Sequence, residues 1–146
     1  MVELREITEH NLDECLALRV ADHQNDFVAS NAHSLAQAWV QYDAAYPFAI
    51  YADDVMVGFI MMGFYKRKGV YTLWRFMIDE RFQGKGYGRA ALLLGIGYFK
   101  EKFNVNEIHT AFLLGNTIAE ALYSCVGFQR TGEVEGSQVG MCLKIA

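Results

Sequence analysis

"DERFQGKGYGRAALLLGIGYFK", residues 79–100, carries three glycines within five residues, Gly84, Gly86 and Gly88, with Lys85 and Arg89 set among them. An apolar run follows at once. Leu92, Ile96, Phe99 and Phe103 fall at i, i+4, i+7 and i+11, which is one face of a helix. The first turn of a helix has backbone N–H groups without partners and carries partial positive charge. Glycines ahead of it let the backbone approach a ligand closely. The stretch therefore reads as an anion site suited to a phosphate or pyrophosphate, or, with no ligand, as a glycine-rich turn. It lacks the lysine followed by Ser/Thr of the triphosphate loop. Its alternating glycines, with Arg at position 89, also miss the G-x-G-x-x-G spacing of dinucleotide binding.

Upstream of the loop the pattern is that of strands. "VYTLWRFMID" (70–79) is rich in β-branched and aromatic residues, and "FAIYA" (48–52) and "VMVGFIMMGFY" (55–65) flank an Asp-Asp turn signal. With "KRKG" (66–69) as the next turn, the three runs form a meander. Pro47 is expected to break the chain before it. Further upstream, "VELREI" (2–7) alternates as a half-buried strand does. Asn11 with Glu14, and Ser34 with Gln37, suggest capping boxes for two helices. Leu12, Cys15 and Leu16 would form the buried stripe of the first, and Leu35, Ala38, Trp39 and Tyr42 that of the second. Downstream, "EIHTAFLL" (107–114) is a strand, Thr117 and Glu120 suggest a capping box for a last helix ended by Gly127, and "FQRTGEV" and "QVGMCLKIA" close as an antiparallel pair. The order β-α-α-β-β-β-α-β-α-β-β makes one mixed α/β domain over residues 1–146.

Bulk properties narrow the function. With 146 residues, 53% of them apolar and 21% charged, the chain can bury a normal core. The longest mid-chain apolar run, Val55 to Tyr65, has 11 residues, too few to span a bilayer. No signal peptide is visible at "MVELREITEH", so a cytoplasmic protein without a membrane role is expected. A net charge of −4 argues against a nucleic-acid partner held by phosphates. Cys15, Cys125 and Cys142 and the four histidines show no ligand spacing. No metal is expected, and the cysteines read as small buried hydrophobes.

"QGKGYG", Gln83 to Gly88, resembles the Q/R-x-x-G-x-G/A signature of the Gcn5-related N-acetyltransferases. "FMIDERFQGKGYGRAAL" is similar to that family's strand, loop and helix. "NTIAEALYSCVGFQRTGE" (116–133) is similar to its second block. "NDFVASNAHSLAQAW", "YPFAIYADDVMVGFIM" and "LWRFMIDERFQGKGYGRAAL" resemble its bacterial polyamine (spermine/spermidine) acetyltransferase subgroup. The resemblance implies a single N-acetyltransferase domain of α/β (α+β) class. Its mixed, mostly antiparallel twisted sheet would have six to seven strands, with about four helices.

The resemblance also implies acetyl-coenzyme A as co-substrate and a small-molecule amine as acceptor, and it permits a homodimer. Phe76, Met77 and Ile78 would pair their backbone with the pantetheine arm, though their side chains suit a strand core. Gln83, Gly84, Lys85, Gly86, Tyr87, Gly88 and Arg89 would take the pyrophosphate. Asn116 would hydrogen-bond the cofactor arm or cap the last helix. Tyr123, seven residues and roughly two turns further on, would be the catalytic acid. A phenol with pKa ~10 keeps its proton at neutral pH. For the base, Asp79, Glu80, Glu133 and Glu135 are candidates, with Asp79 and Glu80 better suited to shaping the turn. Arg75 is expected in an ion pair. The chain departs from the subgroup at "TAFLLGN" (110–116) and at Gln138, where acidic residues would be expected. That leaves the acceptor open among a polyamine, another small amine, a protein amine and an aminoglycoside, with a non-catalytic acetyl-coenzyme A sensor as a further reading.

Overall fold

The computed structural model describes residues 1–25 and 29–145; Asp26 to Val28, within one of the quoted resemblance stretches, and Ala146 lie outside them. The elements run β1 (Val2–Glu6), α1 (Leu12–Ala17), α2 (Asn31–Val40), β2 (Ala45–Ala52), β3 (Val55–Tyr65), β4 (Val70–Ile78), α3 (Tyr87–Phe103), β5 (Glu107–Leu113), α4 (Thr117–Cys125), β6 (Gln129–Glu135) and β7 (Gln138–Lys144). Short 3₁₀ turns stand at Asp22–Gln24 and Glu80–Phe82. All seven strands join one sheet in the order β1-β2-β3-β4-β5-β7-β6. Every pairing is antiparallel except β4 with β5. The expected element order, the strand and helix counts and the mixed, mostly antiparallel sheet are all present.

β3 reads as an unbroken apolar run because both of its faces are covered. Val57, Ile60 and Met62 belong to one core cluster, together with Leu92, Ile96 and Phe99 of α3 and Tyr123 of α4. Met56, Phe59 and Met61 belong to the other, with Cys15 of α1, Ala38 of α2 and Met77 of β4. The α3 stripe thus packs as its spacing predicts.

The helix starts and one helix face differ from expectation. Ser30, not Ser34, caps α2, accepting from the His33 N–H at 3.1 Å. Ser34 is buried inside that helix. α2 turns Asn31, Ser34 and Ala38 inward, and Trp39 and Tyr42 are 80% and 77% exposed. A polar contact sets this rotation: the Asn31 Nδ2 donates to the Cys15 carbonyl at 2.9 Å, a tie that apolar periodicity does not reveal. Asn11 sits at the start of α1, but its Oδ1 accepts from the Thr8 N–H at 2.8 Å and makes no helix cap. Leu12 is exposed and Leu18 is buried in its place. At α4 the cap is Asn116, accepting from the Ala119 N–H at 3.2 Å, and Glu120 instead holds Arg130 at 2.5 and 2.8 Å. Pro47 lies within β2, opposite Met61. The β1 pairing ends at Phe48, so on that side the proline removes no ladder bond. Of the cysteines, Cys15 is buried, Cys142 half-buried and Cys125 exposed, which corrects the expectation of three buried thiols.

β3 and β4 pack too closely for a side chain at Gly58, where an added Cβ would stand 2.4 Å from the Met77 carbonyl oxygen. Gly58→Ala is expected to destabilise the protein by about 1–3 kcal/mol, read as a lower Tm in a circular-dichroism melt. An unchanged melt would contradict this register.

Candidate active site

β4 and β5 are joined by a single parallel bridge, Thr72 with His109. Beyond it the strands part. The Thr110 hydroxyl still donates to the Leu73 carbonyl at 3.1 Å, but among the described residues the backbone from Trp74 to Ile78 has no ladder partner on β5. A sheet interior with unpaired backbone is costly unless another polar chain fills it. The parting opens into a cleft of about 2060 Å³. Phe76, Met77 and Ile78 line the cleft, and the side chains of Met77 and Ile78 are buried in the two cores. Backbone toward the cleft and side chain toward the core are therefore compatible at these positions.

The glycine loop stands at the end of β4. Gly84 and Gly86 adopt φ of +76° and +84°, and the space a Cβ would occupy at each is open. A side chain at either place would strain the loop and fill that space. Gly86 is the N-cap of the 17-residue α3 and offers no side-chain cap. The first N–H groups of α3, beginning with Tyr87, Gly88 and Arg89, thus lack intrahelical acceptors. Gly88 has another reason to be small: a Cβ would lie 3.2 Å from Leu122 of α4 and 3.4 Å from Phe76. Lys85 and Arg89 are exposed, and Tyr87 is half-buried against the core.

Gln83 differs from its loop neighbours. Its Nε2 donates to the Ile78 carbonyl at 2.8 Å and to the Gln24 Oε1 at 2.9 Å, and its Oε1 accepts from the Gln24 Nε2 at 3.2 Å. Its side chain therefore locks the loop to the end of β4 and to the Asp22–Gln24 turn. Gln24, 59 positions away, gives no sequence signal of this.

α4 brings Asn116 and Tyr123 to the same cleft. Tyr123 is 7% exposed, and its ring centroid lies 5.8 Å from that of Phe128. Burial pushes its phenol up to about 12, with Thr110 opposing part of the rise. The group is thus a fully protonated acid at neutral pH, facing a cleft.

The charged candidates behave differently from one another. Asp79 is 2% exposed and its carboxylate accepts from the Arg19 N–H, the Arg81 N–H and the Arg81 Nε at 2.9, 3.0 and 2.8 Å. It braces the turn and does not line the cleft. Glu80 is exposed and does not line the cleft. Glu133 and Glu135 line it, and both stand near the Lys68 ammonium, at 3.4 and 3.9 Å. Arg75 has no carboxylate partner among the described residues, against the expectation of an ion pair. Its guanidinium donates to the Gln37 Oε1 at 3.0 Å and to the Trp74 carbonyl at 2.9 Å, and burial pushes it below its ordinary value. Glu107 and His109, two residues apart on β5, and Cys142 of β7 bring their side-chain ligand atoms within 4.8 Å of one another.

A split sheet, a glycine loop at a helix start and a buried phenol on the next helix together surround one long cleft. The sequence profile of the Acetyltransferase (GNAT) family matches residues 12–128. The spermine/spermidine N(1)-acetyltransferase of Bacillus subtilis strain 168 is 30% identical over 140 residues, 92% of this chain and 91% of that protein. The fold is similar to the spermidine N-acetyltransferase of Vibrio cholerae solved with coenzyme A and spermine, with a TM-score of 0.76, 17% identity and coverage of 98% and 95% of the two chains. It is also similar to the PaiA N-acetyltransferase of Thermoplasma acidophilum solved with coenzyme A, with a TM-score of 0.74, 17% identity and 99% of each chain covered. The chain belongs to the acetyltransferase (GNAT) family and is an acetyl-coenzyme A-dependent amine N-acetyltransferase. The open glycine backbone and the unpaired edge of β4 fit that co-substrate. No helix among the described residues is long and apolar enough to cross a membrane.

Tyr123 makes the alkaline limit of stability testable. An unfolded tyrosine loses its proton near pH 10, whereas the folded one keeps it to about 12. The folded state alone holds the proton between those values, so this contribution is complete below pH ~10 and is lost as pH rises through the window. Melts of Tyr123→Phe are expected to lose less stability between pH 10 and 12 than wild type. Equal slopes would mean that the phenol is not buried.

Proposed function

We propose that the chain, working as one N-acetyltransferase domain over residues 1–146, acetylates a primary amine of a polyamine such as spermine or spermidine by direct transfer. The observation that carries this reading is the buried, protonated Tyr123 on the cleft that the glycine loop also lines. The 30% identity to the B. subtilis enzyme, covering 92% of this chain, supports the substrate class. A cytoplasmic location and a small-molecule acceptor belong to the same reading.

Acetyl-coenzyme A, when bound, supplies the acetyl thioester. Backbone groups of Phe76, Met77 and Ile78 hydrogen-bond its pantetheine arm from the unpaired edge of β4. Gly84 and Gly86 let the main chain close on its pyrophosphate. The N–H groups of Tyr87, Gly88 and Arg89 donate to that anion, aided by the helix dipole. Lys85 and Arg89 add charge from the rim, and Gln83 holds the loop in shape while offering its backbone. Asn116 caps α4 and so fixes the start of the helix that carries Tyr123. Tyr123 gives its proton to the departing thiolate sulfur, a proton transfer typically worth 10²–10⁴-fold.

A second reading, acetylation of a smaller or less charged amine, is favoured by the apolar Leu113 and the cationic Arg75 on the cleft. A thiol-release assay with acetyl-coenzyme A against spermine, spermidine, putrescine and simple monoamines separates the two. Turnover of spermine or spermidine is expected, with Tyr123→Phe lowering kcat by about 10²-fold or more. Turnover of monoamines alone would favour the second reading. Coenzyme A binding with no turnover of any amine would overturn both.

Gly86→Val is expected to raise the KM for acetyl-coenzyme A while the amine KM stays unchanged, because it strains the loop and fills its open face. An unchanged KM would remove the loop from cofactor binding.

A further inference from the structure

Tyr123 accounts for the proton that the sulfur gains; the acceptor of the amine's proton is still to be assigned. Among the four acids considered from sequence, Asp79 is bonded to Arg19 and Arg81 and, like Glu80, lies off the cleft, and Glu133 and Glu135 are exposed and near Lys68. β5 offers a different group. His109 lines the cleft and is the β5 member of the last bridge before the strands part. It is half-buried.

Its Nε2 lies 2.9 Å from the Glu107 Oε1 and 3.9 Å from the Cys142 Sγ. Glu107 Oε2 in turn accepts from the Lys144 Nζ at 2.6 Å. Lys144 first, and then His109, hold the Glu107 carboxyl down to about 2. A fixed carboxylate that takes the Nε2–H leaves Nδ1 as the nitrogen with the free lone pair. The other neighbours do not compete. Cys142 of β7 is kept a neutral thiol by burial and by Glu107. Lys144, also on β7, is turned to Glu107, and Thr72 of β4 is uncharged.

The strand places this base opposite the acid. Neighbouring residues on a strand point to opposite faces. Ile108 and Phe112 pack into the core that holds Tyr123, and Thr110 lies on the same side, where it acts on the Tyr123 phenol. His109 and Glu107 point to the other face, toward the α1–α2 side of the sheet.

We propose that His109, oriented by Glu107, is the general base of the acetyl transfer. The proposal rests on the amine N-acetyltransferase reading. An ammonium acceptor loses two protons as its nitrogen becomes an amide. The nitrogen lone pair forms the C–N bond, the C–S bond breaks, and its electron pair goes to sulfur. One proton leaves through His109 Nδ1 to solvent. Tyr123 gives its phenolic proton to the departing thiolate, and the second amine proton passes to the phenolate so formed, which restores the phenol.

The test is kcat and kcat/KM from pH 5 to 9, with the best amine of the panel, for wild type, His109→Gln and Glu107→Gln. Histidine is the side chain that ordinarily changes charge in this range. His109→Gln is expected to lower kcat by about 10²-fold or more, to remove the rise in rate with pH, and to leave the KM for acetyl-coenzyme A unchanged. Glu107→Gln, which keeps the imidazole, is expected to lower kcat by a smaller factor with the same KM. It serves as the deciding variant if His109→Gln does not fold. A rise with pH that survives His109→Gln, or a Glu107→Gln enzyme at the wild-type rate throughout, overturns the proposal. So does a wild-type rate lost on chelation and restored by Zn²⁺, which would assign the three side chains to a metal. A wild type that turns over no amine overturns the underlying reading; an active wild type with a surviving limb overturns only the base.

Discussion

The structure depends on one failed pairing. β4 and β5 share a single bridge, Thr72 with His109, and then diverge. Seven strands could close into a continuous sheet, yet beyond residue 73 the β4 backbone keeps its ladder with β3 and has none with β5 at the sheet centre. Unpaired main chain in that position needs another polar chain beside it. The two halves of the sheet are each well made: β1 to β4 is an antiparallel meander, and β5, β7 and β6 pair antiparallel beside it. The parting between them is thus part of the design of the fold and opens the cleft on which the proposed donor site rests.

Everything around the parting keeps it open and shaped. Asp79 ties the end of β4 to Arg19 and Arg81. Gln83 and Gln24 clasp each other and the Ile78 carbonyl. Gly88 lets α3 approach α4 closely enough for Leu122 and Phe76 to meet it. Asn116 starts α4, whose second turn carries Tyr123 into the core and up to the cleft. The acid, the loop and the free strand edge therefore sit on rigid elements, where catalytic groups are held better than on mobile loops.

Much of this was legible in the sequence where the signal was local. Glycines before an apolar helix, a β-branched meander and an i/i+4 stripe are set by neighbours in the chain, so the loop, β3, β4 and α3 fall where they are expected. The α2 face was misread because polar Asn31 and Ser34 are buried while Trp39 is exposed, which reverses the usual partition. The caps of α1 and α2 differ from expectation, and at α4 Asn116 caps as one of its two expected roles while the Thr117–Glu120 box does not form, because several Ser, Thr and Asn residues compete within a few positions and tertiary contacts choose among them. The Gln24–Gln83 clasp, the Gln37–Arg75 bond and the approach of Cys142 to the Glu107–His109 pair join residues on different elements. No periodicity encodes such contacts, so only the folded chain reveals them.

The central claim is that the unpaired backbone of β4, with the glycine loop, receives coenzyme A. The most direct measurement is residue-resolved amide hydrogen exchange of the protein with and without coenzyme A. The account predicts that those amides between Trp74 and Ile78 that point away from β3, together with those of Gly86 to Arg89, exchange rapidly in the free protein and become protected when coenzyme A binds. Binding without added protection in either segment, or protection confined to the β6–β7 pair, would contradict it.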